Sequence, residues 1–163
     1  MTRAGYLLHP LVIAGLALWV INDHLLKGAY PGWWTGKLSD LAGLAVFPLI
    51  PYAVIDLWRA RRGLPPPPVS TLALCIAAAG LALIAIKTTH VAADAYRWSL
   101  AAAQWPIRAL RVGAVVPLRP VRLAGDLTGL LALPALLVPW FVVRSRVTYV
   151  RRTARPSIAS TAR

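Results

Sequence analysis

The chain has 163 residues, 58% of them hydrophobic and only 14% charged, with a mean hydropathy of +0.63. A soluble domain carries about a quarter charged residues, so the deficit points to lipid as the solvent, and the length allows one bundle. The net charge of +13 comes from 18 Lys and Arg against five Asp and no Glu. Basic residues that flank membrane helices and attract anionic headgroups explain this excess without nucleic acid.

A helix crossing the hydrocarbon core needs about 20 mostly apolar residues, and four segments qualify. The first, Leu8–Leu26, follows Arg3 and ends in Asn22-Asp23-His24. It lacks a small-residue cleavage pattern and is predicted as an uncleaved span. A connection rich in Gly and Trp (Pro31, Gly32, Trp33, Trp34, Gly36) leads to the second span, Ser39–Trp58. The next connection is basic and stiff: Arg59, Arg61 and Arg62 precede Pro65–Pro68, which cannot continue a helix. The third span, Ser70–Ala92, contains the single Cys75, which excludes an intramolecular disulfide. In the following segment, Tyr96–Arg122, Arg97, Gln104, Arg108 and Arg111 fall on one helical face. This predicts an amphipathic stretch in the headgroup plane, broken by Pro106 into two short helices. The fourth span is Leu123–Val143, and residues 144–163 form a basic, flexible tail.

Two aspartate motifs organise these elements. Asp-Leu-x-Gly-Leu-x-x-x-Pro occurs at Asp40–Pro48 and again at Asp126–Pro134. His24 and Tyr30 likewise match His90 and Tyr96. Two hairpins each hold an even number of spans, so both enter the membrane from the same side. The expected fold is therefore all-α: four transmembrane helices in residues 1–143, arranged as two parallel repeats, 1–62 and 69–143. The arginines of the short connection and of the tail predict a plasma-membrane protein with both termini cytoplasmic.

Under that topology Asp23, Asp40, Asp94 and Asp126 lie towards the outer face, with Asn22, His24, Lys27, Lys37, Lys87 and His90 at similar depth. Asp56 lies at the cytoplasmic end, with Arg59 as its expected partner. Two readings suit Asp40 and Asp126. Each carboxylate could cap the helix it begins, with Gly43 and Gly129 permitting close packing and Pro48 and Pro134 kinking the spans. Alternatively the two carboxylates face each other and share a proton, one as base and one as acid. Lys87, His90 and Asp94 are expected on one face of the third helix, and Asp23 and Lys27 as an i, i+4 pair. His24 and His90, with aspartates, form a candidate metal site, although no dense ligand motif accompanies them. No cofactor is expected; Gly36-Lys37-Leu38-Ser39 lacks the glycine-rich spacing of a phosphate loop.

Asp23-His-Leu-Leu-Lys27 at the close of the first span, four spans and paired aspartates together resemble the lipoprotein signal peptidases. That resemblance implies an intramembrane carboxylate dyad and a lipid-modified substrate. It covers a five-residue pattern and the general layout. The Asn-x-x-Asp-Arg and Phe-Asn-x-Ala-Asp signatures around the catalytic aspartates are absent, and the family is not assigned. The leading expectation is a non-enzymatic membrane interaction or binding subunit. Its partners would be the bilayer, anionic lipids at the basic loop and tail, and a second copy or another membrane protein. The alternatives are an intramembrane aspartic hydrolase using Asp40 and Asp126, and a small transporter or ion-binding subunit.

Overall fold

The computed structural model of the chain describes residues 4–30, 32–121 and 127–153, the last eight (146–153) by backbone alone. Among the described residues the protein is all-helical. Four helices are long and apolar enough to cross a membrane: Pro10–Ala29, Trp33–Arg61, Val69–Thr88 and Leu127–Ser145. Their outward faces leave large side chains such as Leu11, Leu16, Leu74, Leu81 and Phe141 uncovered by the chain. A water-soluble domain buries such residues; lipid tails accept them.

The first span comprises α1 (Pro10–Ile21), a π-turn over Asn22–Leu26 and the short α2 (Lys27–Ala29). His9 caps α1, its Nδ1 accepting the Leu11 N–H at 3.2 Å. Pro10, lacking an N–H, starts the helix at no hydrogen-bonding cost. The second span starts earlier than the sequence suggests. α3 runs Trp33–Val46, closed at its start by Gly32 and Thr35, whose Oγ1 donates to the Gly32 carbonyl at 2.8 Å. Asp40 therefore lies two turns inside α3 and caps nothing. Sequence reading placed the helix start at the first apolar run, whereas the Gly-Trp-Trp-Thr turn begins it. At Pro48 the helix assignment is interrupted, α3 giving way to α4 (Leu49–Arg61) with Phe47 and Pro48 still in helical conformation, because a proline cannot donate to the preceding turn.

α5 (Val69–Thr88) stops at Thr89, which is extended at φ −126°, ψ 135° and caps α6 (His90–Val112). The Thr89 hydroxyl accepts the Ala92 N–H at 3.3 Å and donates to the Ala85 carbonyl at 2.9 Å. Lys87 consequently stands on a different helix from His90 and Asp94, and the expected shared face does not form. The break expected at Pro106 is also absent, and α6 is one helix of 23 residues. Proline forfeits the single bond to Ala102. The return segment is tied along the same helix by Trp105 Nε1 to the Val116 carbonyl (2.8 Å) and Arg97 Nε to the Val121 carbonyl (2.9 Å). The final span opens as a 3₁₀ helix, Leu127–Leu136, and continues as α7 (Leu137–Thr153), ten residues into the segment expected as a tail.

Two apolar clusters hold the bundle. Leu49, Tyr52 and Ala53 of α4 meet Val12, Leu72, Val142 and Val143. Leu44 and Ala45 of α3 meet Ala132 and Ala135 of the 3₁₀ helix. Small residues at the second contact allow close approach: a Cβ on Gly80 would stand 3.0 Å from Leu136 Cδ1.

Candidate functional site

Five of the polar residues singled out in the sequence, Asn22, Asp23, Lys27, Asp40 and Lys87, fall into two networks on the first span, α3 and α5. The first is built on the π-turn, whose extra residue is marked by the Lys27 N–H bonding the Asn22 carbonyl five positions back. Such turns recur at functional positions because they re-aim side chains. Here the turn accompanies an Asn22 side chain fully buried against α3. Its Nδ2 donates to the Thr35 carbonyl at 2.7 Å and to Ser39 Oγ at 2.8 Å, while Oδ1 is buried without a partner. Ser39 in turn donates to Asp23 Oδ1. Asp23 also receives Lys27 Nζ at 2.7 Å, the expected i, i+4 pair, and Trp19 Nε1 at 3.0 Å.

The second network is the Asp40–Lys87 ion pair, 3.0 Å between Oδ2 and Nζ, joining the first half of the chain to the second. Lys87 is the more buried partner, its side chain 6% exposed against 22% for Asp40. Gly129 of the second aspartate motif lies directly against the pair: a Cβ there would fall 2.5 Å from Lys87 Cε and 2.7 Å from Asp40 Oδ2. The two motifs thus meet. Gly43, in the equivalent place of the first motif, faces only the Phe47 ring of its own segment at 3.5 Å. Trp33 Nε1 donates to Thr128 Oγ1 at 3.1 Å, a second polar link between the halves.

The glycines therefore predict different outcomes. Gly129→Ala is expected to cost about 1–3 kcal/mol, because a methyl group must displace a paired, buried ammonium. Gly43→Ala meets ordinary contact distances and is expected to be neutral or slightly stabilising through helix propensity. Thermal unfolding of the two purified variants in detergent compares them directly, and equal melting curves would contradict the placement of Gly129.

Tyr96 of α6 stands close to both networks. Burial raises its phenol above the ordinary value of 10.0, and the charges of Asp40 and then Asp23 raise it further. The folded state thus favours the neutral phenol. Its contribution is complete below the unfolded value and is lost as pH rises through the folded one. Stability is expected to hold to about pH 10 and fall beyond it. A phenolate absorbance titration against Tyr96→Phe reads this, and an ordinary midpoint would exclude the proximity.

The other expected site residues are placed differently. His24 and His90 are both exposed, and no group of three His, Cys, Asp or Glu side chains able to hold a metal occurs among the described residues. Asp94 pairs with Arg97 at 3.0 Å on the surface of α6. Lys37 lies over the Trp33 ring, 5.4 Å from its centroid. Asp126 and Arg122 lie outside the described residues. Sequence reading missed Thr35, Ser39, Trp19 and Gly129 as parts of the site. Thr35 and Ser39 were findable, since i, i+4 spacing sets both on one face of α3. At the opposite end Asp56 does not pair with Arg59, whose Nε turns to the Pro65 carbonyl at 2.8 Å.

The chain matches no protein-family model, no curated protein and no solved structure.

Proposed function

We propose that this protein is a non-enzymatic membrane interaction or binding subunit whose polar end joins two duplicated halves and receives a partner. One observation carries the reading: Asp40, the carboxylate most open to a catalytic role, is engaged by Lys87 and walled by Gly129. A proton-sharing dyad needs two carboxylates facing each other and an approach for substrate; here a lysine occupies one carboxylate and backbone crowds it. Beside the pair, Tyr30, Trp33 and Trp34 stand exposed, a rigid aromatic surface of the kind that anchors partners. That partner is a second copy or another membrane protein.

The duplicated architecture, with parallel halves and both termini cytoplasmic, is part of the same reading. It is supported by irregular helix ends at matched places, the π-turn at His24 and the Thr89 break before His90. We read α6 as an interfacial helix. Ile107 and Leu110 project uncovered from it; in this reading Arg108 and Arg111 meet lipid phosphates, with the basic connection and C-terminal segment serving anionic lipid elsewhere. The aspartic hydrolase stays as a second reading, favoured by the meeting of the two motifs at Asp40 and Gly129.

One experiment separates the two. In cells, Asp40→Asn with Lys87→Met removes both charges together. An interaction subunit is expected to recover abundance and to retain capture of its membrane partner and its phenotype. Normal abundance and capture with lost phenotype would overturn that reading in favour of catalysis. Tyr30→Ala with Trp34→Ala, at the two most exposed of these rings, is expected to release the partner while abundance holds.

A further inference from the structure

On the outer side of the bundle, where the end of the second span runs beside α5, lies a groove of about 430 Å³. Phe47, Pro48, Pro51 and Ile55 form one wall. Thr71, Leu74, Cys75, Ala78 and Ala79 form the other. Each set recurs at three- and four-residue intervals and so makes one stripe of its helix. The inner face of α4 is spent elsewhere, Leu49, Tyr52 and Ala53 packing with Leu72 in the core. On the outside, two proline rings and two alanines are too short to close the gap. Phe47 and Leu74 stand exposed, so the groove opens away from the core.

The α4 stripe continues past the groove into the basic connection. Arg59 follows Ile55 by four residues and Arg62 by seven, so both lie on the helix face that lines the groove. Arg59 is steadied by its Nε bond to the Pro65 carbonyl at 2.8 Å, and Arg62 by the Trp58 ring at 4.1 Å. Neither contact removes charge, and the bond at Nε uses one of the five N–H groups of a guanidinium. Arg61 stands exposed between them. Asp56 belongs to the other face of α4, with Tyr52 and Ala53, and its Oδ2 accepts the Ala4 N–H at 3.2 Å. An apolar groove therefore ends at a positively charged mouth.

We propose that this groove seats one acyl chain of an anionic phospholipid, whose phosphate meets Arg59 and Arg62. The proposal rests on the reading that the basic connection meets anionic lipid, and adds to it a fitted place for the chain. The dimensions suit this occupant. Each wall spans eight residues, about 12 Å, and the arginines begin one turn further on, about 5 Å. Together these match the depth of one leaflet, half of the roughly 30 Å hydrocarbon core. A helix from a second copy, about 10 Å across, would fill on the order of 1,000 Å³ over the same length, more than the groove holds. Close carbon contact distinguishes a seated chain from bulk lipid, and the guanidinium groups select a negative headgroup. The seated lipid also fastens α4 to α5 on the side that their own residues leave open.

The test uses the full chain purified in detergent, titrated with phosphatidylglycerol or with phosphatidylcholine carrying the same acyl chains. Native mass spectrometry counts the lipid retained. One phosphatidylglycerol per chain is expected, held about 30-fold more tightly than phosphatidylcholine, as two cations near the headgroup supply. Arg59→Gln with Arg62→Gln is expected to abolish that preference. Ala78→Phe fills the groove without changing charge and is expected to weaken both lipids about tenfold while the preference stays. Ala78 is exposed, and Ala78→Leu gives a smaller loss of the same kind should the larger ring prevent folding. A preference that the arginine pair abolishes, with affinity unchanged in both Ala78 variants, overturns the groove and leaves the basic connection as a surface contact. No preference in the wild-type chain overturns both. Dimers without retained lipid, which Ala78→Phe turns into monomers, overturn the proposal in favour of a second copy.

Discussion

Asp40→Asn is expected to destabilise the protein by about 3–5 kcal/mol, because it leaves the ammonium of Lys87 buried without its counter-charge. Lys87 has little recourse to solvent, at 6% exposure, and Gly129 closes the side on which it could withdraw. Lys87→Met leaves Asp40 alone, but that carboxylate is 22% exposed and retains some hydration, so the smaller loss is expected there. The double variant removes both charges and is expected to recover at least half of the single loss. Buried ion pairs are often replaceable by neutral side chains once neither charge is stranded. Thermal unfolding in detergent, run as a double-mutant cycle, reads the coupling. Additive losses would show that the two side chains do not act as a pair.

Asn22→Asp changes one side-chain group, yet is expected to cost nearly as much. Nδ2 now donates to the Thr35 carbonyl and to Ser39 Oγ at 2.7 and 2.8 Å. An oxygen in its place faces that carbonyl as a second acceptor and adds a charge beside Asp23 in a fully buried position. An unpaired buried charge costs several kcal/mol, whereas Asn22→Ala forfeits the two hydrogen bonds and leaves a small cavity, about 2–3 kcal/mol. The expected order of melting temperature is therefore wild type, then Asn22→Ala, then Asn22→Asp. The reverse order for the two variants would mean that packing, not donor geometry, holds the π-turn to α3.

Reading the residues alone located much of this site and misjudged its construction. Asn22, Asp23, Lys27, Asp40 and Lys87 were all singled out, because charged groups are rare in apolar spans and stand out on that ground. The Asp23–Lys27 pair follows from local spacing and is present. The Asp40–Lys87 pair was not legible, since it joins residues 47 apart on different helices. Capping by Asp40 requires a helix that starts beside it, and Gly32 and Thr35 move the start upstream. The same locality explains Asp56, whose nearby Arg59 was the natural partner in sequence but turns to a backbone carbonyl in space.

Composition and hydropathy by themselves determined an all-helical chain with four helices long and apolar enough to cross a membrane, because the length and apolarity needed to cross a bilayer are local properties of a segment. The interruption between α3 and α4 at Pro48 is equally local, following from a missing donor. Tertiary structure alone decided which charges neutralise one another, and that the glycine of one motif walls the aspartate of the other. It alone also turned Arg59 away from Asp56 to the Pro65 carbonyl. Those outcomes depend on which helices touch, and in lipid that is set by the close fit of side chains across helix contacts rather than by the apolar pattern that marks the spans.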